Sequence, residues 1–138
     1  MKKKTEQISL FFCDFDAKGI YKINCAMKYF EKARFEVADE IGIYDYIKPD
    51  EGERVTFPVI RVSSKYLNPI QFENRNVLTE TSLDIPDGGI LCFHHRMIQN
   101  GEVMIETVVE TVIVSDRHGV LFKIGDELTK KIWEYIDE

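Results

Sequence analysis

The sequence predicts an α+β domain built on an antiparallel sheet, and three observations carry that prediction. One long stretch, residues 24–42, has helical periodicity; at least four β-type runs follow it; and hairpin-type turns, not further helices, join those runs. A chain of 138 residues suffices for one core but not for two, so residues 1–138 are expected to form a single domain. Its 44% hydrophobic and 30% charged residues are ordinary for a globular protein. The net charge of -6 argues against nucleic acid as a partner, because phosphate affinity needs a basic footprint. Lys2-Lys3-Lys4 is followed neither by an apolar signal-peptide core nor by a run long enough to cross a membrane. A cytoplasmic protein with no membrane partner is therefore expected.

In chain order, residues 7–13 are apolar and aromatic enough for a buried strand, which Asp14 and Asp16 end as turn formers. In the helix, Ala26, Phe30, Ala33, Val37 and Ile41 recur every three or four residues, and Met27 and Ala38 widen the stripe. Gly42 stands where a left-handed cap would end it. Residues 43–54 read as a polar, acidic connector. Residues 55–66 form a long β-run in which Pro58 favours an edge or a bulge. Asn68-Pro69 turns the chain into residues 72–85, where Val77, Thr79, Thr81, Leu83 and Ile85 alternate with Glu80, Ser82 and Asp84.

Pro86-Asp87-Gly88-Gly89 leads into a run over residues 90–99, and Asn100-Gly101 is a type I′ hairpin signal, because both central residues of that turn need positive φ. Pairing outward from a two-residue turn sets His95 opposite Glu106 and Phe93 opposite Val108. The first pair reads as a cross-strand ion pair rather than an acid–base pair. Residues 103–114, rich in β-branched side chains, suit a central strand. The chain closes with a short helix that Asp126 would cap, docking Leu128, Ile132, Tyr135 and Ile136.

Chemistry concentrates in the loop between the first strand and the long helix. Asp14 and Asp16 lie beside helix N-terminal amides that have no intrahelical acceptor, so a base and donors for a developing oxyanion share one loop. Rival readings are poorer. A phosphatase loop would carry a threonine where Lys18 stands and would need strand–helix alternation. A calcium loop would need a ligand at Lys18 and a glutamate at Cys25. A third reading makes both aspartates mere turn caps. The odd set of Cys13, Cys25 and Cys92 has no CxxC spacing and indicates neither disulfides nor zinc. Cys25 at the helix start reads as a small packed residue, although a thiolate would be favoured there. His94 and His95 are neighbours on a strand and point to opposite faces, and His118 sits in a turn, so no metal site is expected.

Asp16-Ala17-x-Gly19-Ile20, followed at fixed spacing by Tyr29-Phe30-Glu31-x-Ala33-Arg34-x-Glu36, resembles the acyl-CoA thioesterases of the hotdog fold, the 4-hydroxybenzoyl-CoA thioesterase and YbgC-like group. Tyr66-Leu67-Asn68-Pro69-Ile70 and the stretch 112–120 extend the likeness over nearly the whole chain. The resemblance implies a long central helix wrapped by a curved antiparallel sheet, and active sites at the interface of a homodimer or of a dimer of dimers. It implies hydrolysis of an acyl-CoA or acyl carrier protein thioester, without cofactor, by Asp16 as nucleophile or general base. The backbone N–H groups of Ile23 and Asn24 would polarise the carbonyl, and Gly19, Ile20, Ile23 and Ala26 would border the substrate.

Where relatives carry a histidine and, three positions later, a tyrosine, this chain has Ile23 and Ala26. That departure leaves a non-catalytic acyl-thioester binding module as the alternative. A dehydratase of the same fold would need a histidine that the loop lacks. Glu31 and Arg34 match the family helix but are spaced for a surface pair. Arg61, Lys65, Arg96 and Lys123 are scattered cations that could meet coenzyme A phosphates.

Overall fold

The computed structural model describes residues 1–121 and 124–138. It has the hotdog architecture: a long helix, α1 (Met27–Ile41), lies along a curved five-stranded antiparallel sheet, and a short helix, α3 (Asp126–Ile136), closes one end. The strands are β1 (Lys4–Ser9), β3 (Val59–Tyr66), β4 (Asn76–Asp84), β5 (Ile90–Gln99) and β6 (Glu102–Val112), in the order β1-β4-β5-β6-β3. Three short strands, β2 (Val55–Thr56), β7 (Val114–Ser115) and β8 (Gly119–Val120), form a separate sheet. None of the described helices is long and apolar enough to cross a membrane.

The helix forms as its periodicity predicts. Phe30, Ala33, Val37 and Ile41 are buried, Met27 and Ala38 flank them, and Gly42 ends the helix at φ 78° with its N–H donated to the Ala38 carbonyl at 2.9 Å. Its first turn differs from the expectation: residues 23–26 are a tighter 3-10 turn that leads into the α-helix. The connector contains a further one-and-a-half-turn helix, α2 (Ile43–Ile47), which buries Ile43. The first strand is also displaced. It occupies the largely polar Lys4–Ser9, while Phe11 and Phe12 are exposed and Phe12–Asp14 is a 3-10 turn. β1 needs little apolar surface because it is an edge strand, held by backbone pairing to β4.

Pro58 splits the expected 55–66 run into β2 and β3, and β3 is an edge strand with a register shift between Val59 and Arg61, as a proline there requires. β4 buries Val77, Thr79, Thr81 and Leu83 in strict alternation. α3 docks Leu128, Ile132, Tyr135 and Ile136, but Asp126 is its first residue and not its cap. The cap is Gly125, at φ 77° and ψ 154°, a backbone that favours glycine.

The hairpin holds the largest correction. Asn100 and Gly101 have φ of 51° and 76°, as a type I′ turn demands, yet a bulge at Met97/Ile98 takes up one extra residue of β6. From there outward the pairing is one residue off the expectation: His95 faces Thr107 and Phe93 faces Val109, while Glu106 faces Arg96. His95 is fully buried, with Phe30 of α1 stacked on its ring.

Thr81, His95, Thr107 and Ser64 are register partners on four successive strands, so they form one polar row across the sheet beneath the helix. On one side of this row lies the cluster of Val37, Ile41, Leu83, Leu91, Phe93 and Val109. On the other lies the cluster of Ala26, Phe30, Val77, Met97 and Ile105.

Candidate active site

The loop 14–24 is a tight reversal. Phe15 bridges Tyr21, the Asp16 N–H donates to the Ile20 carbonyl at 2.8 Å, and the Gly19 N–H donates to the Asp16 carbonyl at 2.9 Å, with Gly19 at φ 78°. The two aspartates play different parts within it. Asp14 is buried; its carboxylate binds the Lys28 ammonium and its carbonyl accepts the Lys22 N–H at 2.9 Å. Burial alone would raise the Asp14 pKa, but the Lys28 ammonium outweighs burial and the net shift is downward. Asp14 is thus a structural anchor.

Asp16 is exposed. Its Oδ1 accepts the N–H of Lys18 at 2.8 Å and of Ile20 at 3.0 Å, while Oδ2 has no hydrogen-bond partner among the described residues. Those two backbone bonds, Ile20 first, hold its pKa below the ordinary 3.8, so it is ionised at neutral pH. The turn-capping reading is therefore true of one oxygen and leaves the other available.

Ile23 and Asn24 begin the 3-10 turn, and among the described residues neither backbone N–H has an acceptor; the first bonded amide is that of Cys25, on the Lys22 carbonyl at 2.9 Å. Gly19 and Ile20 are half-buried within the reversal, and Ile20 bridges Gln71. Ala26 is placed differently. It is buried in the core against Tyr21 and Phe30 rather than lining a pocket. The Cys25 thiol is pushed up by burial and then by the Asp14 charge, the reverse of the activation that its place at a helix start suggests.

The structure also assembles a group that the sequence did not reveal. Between α1 and β3 lies a cavity of about 220 Å³, lined chiefly by Phe35, Ala38, Phe57, Val59, Leu91 and Phe93, with Glu31 and Arg34 as its charged members. Glu31 and Arg34 form no ion pair, contrary to their spacing. Arg34 is half-buried and its Nη1 donates to His95 Nε2 at 3.3 Å. A guanidinium can only donate, so Nε2 carries the lone pair and the proton is on Nδ1, which donates to Thr81 Oγ1 at 2.8 Å. Phe30 stacks on the His95 ring at 4.6 Å. Burial first, then the Arg34 charge and then His94, push the His95 pKa down to about 3, so the imidazole is neutral. Burial likewise pulls Arg34 below its ordinary value, with Glu31 partly opposing. The group is drawn from α1, β4 and β5, which no local sequence pattern links.

None of the described cavities is lined by Asp16, Gly19, Ile20, Ile23, Asn24 or Ala26. Among the cations singled out by sequence, Arg96 pairs with Glu80 at 3.6 Å, and Arg61 and Lys65 stand opposite Glu110 and Glu106. Lys123 lies outside the described residues. Asp50, Glu53 and His118 set one ligand atom each within 4.8 Å of one another, but Glu53 already accepts from Ser115 and from the Asp50 N–H, so the group ties the 115–118 turn to the connector.

The chain matches no protein-family model and no curated protein sequence. Solved structures do resemble it. A 1,4-dihydroxy-2-naphthoyl-CoA thioesterase from Synechocystis superposes with a TM-score of 0.77 at 11% identity, covering 99% of each chain. The DHNA-CoA thioesterase of Staphylococcus aureus gives 0.77 at 16%, over 99% of this chain and 92% of that one. A predicted thioesterase from Bacillus stearothermophilus gives 0.76 at 19%, over 98% and 97%. At such identities the likeness is one of fold.

Proposed function

We propose that the chain hydrolyses an acyl thioester, carried on coenzyme A or on an acyl carrier protein, at the Asp16 loop. The observation that carries this reading is the coexistence in one reversal of an exposed, ionised carboxylate oxygen and two helix-leading N–H groups, none of which has a partner among the described residues. Asp16 Oδ2 would either attack the thioester carbonyl, expelling the thiolate and leaving an anhydride for water to open, or take a proton from the attacking water. In both routes the carbonyl oxygen gains charge that the Ile23 and Asn24 amides are free to receive. A thiolate leaves readily without an acid, so one carboxylate suffices. Two of the solved neighbours carry names of acyl-CoA thioesterases, which supports the class of reaction but not the acyl group.

The reading includes a second copy of the chain. None of the described cavities reaches the Asp16 loop, and β3 presents an unpaired edge on which Val59, Ile60 and Val62 are 42%, 53% and 47% exposed. Pairing of two β3 edges would cover these side chains and supply the missing wall.

The test is thiol release from a panel of acyl-CoA and acyl carrier protein thioesters, with Asp16→Asn alongside. Asp16→Asn should lower kcat at least a hundredfold while leaving substrate affinity and the circular dichroism spectrum unchanged. Ligand binding without turnover in the unmodified protein would favour the non-catalytic binding module. Undiminished turnover in Asp16→Asn would remove the residue from the mechanism.

A further inference from the structure

Arg34 is half-buried in a wall that is otherwise largely apolar, and its single hydrogen bond among the described residues goes to a neutral imidazole. Among the described residues no carboxylate lies within 4 Å of it, although other cations of α1, Lys28 and Lys32, have one. A guanidinium offers five N–H donors in a planar fork, and a partly desolvated one without an anion is costly. The surroundings nevertheless hold it in place from beneath: Phe30 stacks on His95, Thr81 fixes the Nδ1 proton, and His95 Nε2 accepts from Arg34. The remaining N–H groups are therefore presented from a supported position next to a cavity of about 220 Å³ lined by Phe35, Phe57, Phe93 and Leu91. Glu31 also lines this cavity, but it is exposed, so solvent screens its charge.

We propose that the cavity between α1 and β3 holds a ligand with an apolar body and a carboxylate, and that Arg34, positioned by His95, binds that carboxylate. A carboxylate matches the guanidinium fork in two parallel hydrogen bonds and supplies the countercharge that the protein lacks there. The aromatic and aliphatic wall removes the ligand body from water. If the thioesterase reading holds, and this step rests on it, the preferred acyl group carries a second acidic function, as in a half-thioester of a dicarboxylic acid. His95 is then a positioning residue, which never touches the ligand.

The experiment uses 3-phenylpropanoate and its uncharged isostere 3-phenylpropanamide, titrated into the full chain at pH 7 by calorimetry. The acid should bind at least tenfold more tightly than the amide. Arg34→Gln should abolish that preference while leaving amide binding and the far-ultraviolet circular dichroism unchanged; Arg34→Lys, which keeps charge but not the fork, should retain only part of it. Equal binding of acid and amide in the unmodified protein, or a preference that survives Arg34→Gln, would overturn the proposal. So would failure of both probes to bind, with Arg34→Gln weakening self-association, since Arg34 would then serve a second copy. Asp16→Asn separates the two readings: it should leave acid binding unchanged while removing turnover, so either can fail without the other.

Discussion

Acidification from pH 7 to pH 5 should weaken the fold through one residue, His95. In the folded chain its pKa is pushed down to about 3, against an ordinary value of 6.5 in the unfolded chain. The unfolded state therefore takes up a proton as pH falls through 6.5, while the folded state stays neutral until about 3, and stability is lost across that window. One pH unit is worth about 1.36 kcal/mol, so the loss is about 2 kcal/mol between pH 7 and pH 5, rising to roughly 4–5 kcal/mol by pH 3. The groups that face the ring explain the size. Arg34 from α1 donates to Nε2, Thr81 from β4 accepts from Nδ1, and Phe30 lies on the ring face; a second proton would set two cations 3.3 Å apart in a buried site.

The carboxylates with lowered pKa values, Asp14, Asp16, Glu40 and Glu53, lose their contribution only below the ordinary carboxylate range, so the window from pH 7 to pH 5 isolates the imidazole. Urea denaturation at pH 7.0, 6.0 and 5.0 measures the effect. His95→Gln is the control, expected to be less stable at pH 7 but flat over the same range. A loss below about 0.5 kcal/mol in the unmodified protein, or an equal loss in His95→Gln, would refute the reasoning.

Two further outcomes test the frame around the site. Gly42→Ala should destabilise by about 1–2 kcal/mol in thermal or urea unfolding, because φ of 78° is left-handed backbone; the added Cβ itself meets nothing closer than Asp45 Oδ2 at 3.7 Å, so the cost is conformational and not steric crowding. Lys28→Met should cost about 1–3 kcal/mol at pH 7 by leaving the buried Asp14 carboxylate without its cation, and the deficit should shrink as the pH falls below 4 and Asp14 is protonated in both states.

The helix stripe from Phe30 to Ile41 and the alternation of β4 were legible because each is a local period imposed by one buried face. β1 was not. Its pairing with β4 is made by the backbone of polar residues, whereas the apolar Phe11 and Phe12 that suggested a strand are exposed beyond its end. α2 was hidden because its five residues are too few for a periodicity, and Gly125 capped α3 through a backbone conformation instead of a side chain. At the candidate site, Asp16 and the Ile23 and Asn24 amides are close in sequence and could be nominated from it. Arg34, His95 and Phe93 come from α1 and β5, and no spacing rule links them.

The hairpin shows how much turns on one residue. Asn100-Gly101 specifies the turn but not where a bulge falls along the arms, and the bulge is selected by burial. With the extra residue in β6, Met104 and Ile105 are both buried, Met97 meets Ile105, and every later pair moves by one. In the register expected from the turn alone, His95 would sit opposite Glu106, whose negative charge would favour the imidazolium. With the bulge, His95 lies between Thr81 and Thr107 in the polar row beneath α1, and among the described residues the cation that contacts it is Arg34. Glu106, facing Arg96, is on the opposite face of the strand from His95. Deleting Met104 would remove the bulge but leave Met97 opposite Ile105 and His95 opposite Thr107, because Met104 is the residue without a cross-strand partner. The acidic-ligand preference should therefore survive the deletion in a chain that still folds, and its loss would show that the bulge itself, not the paired register, supports the site.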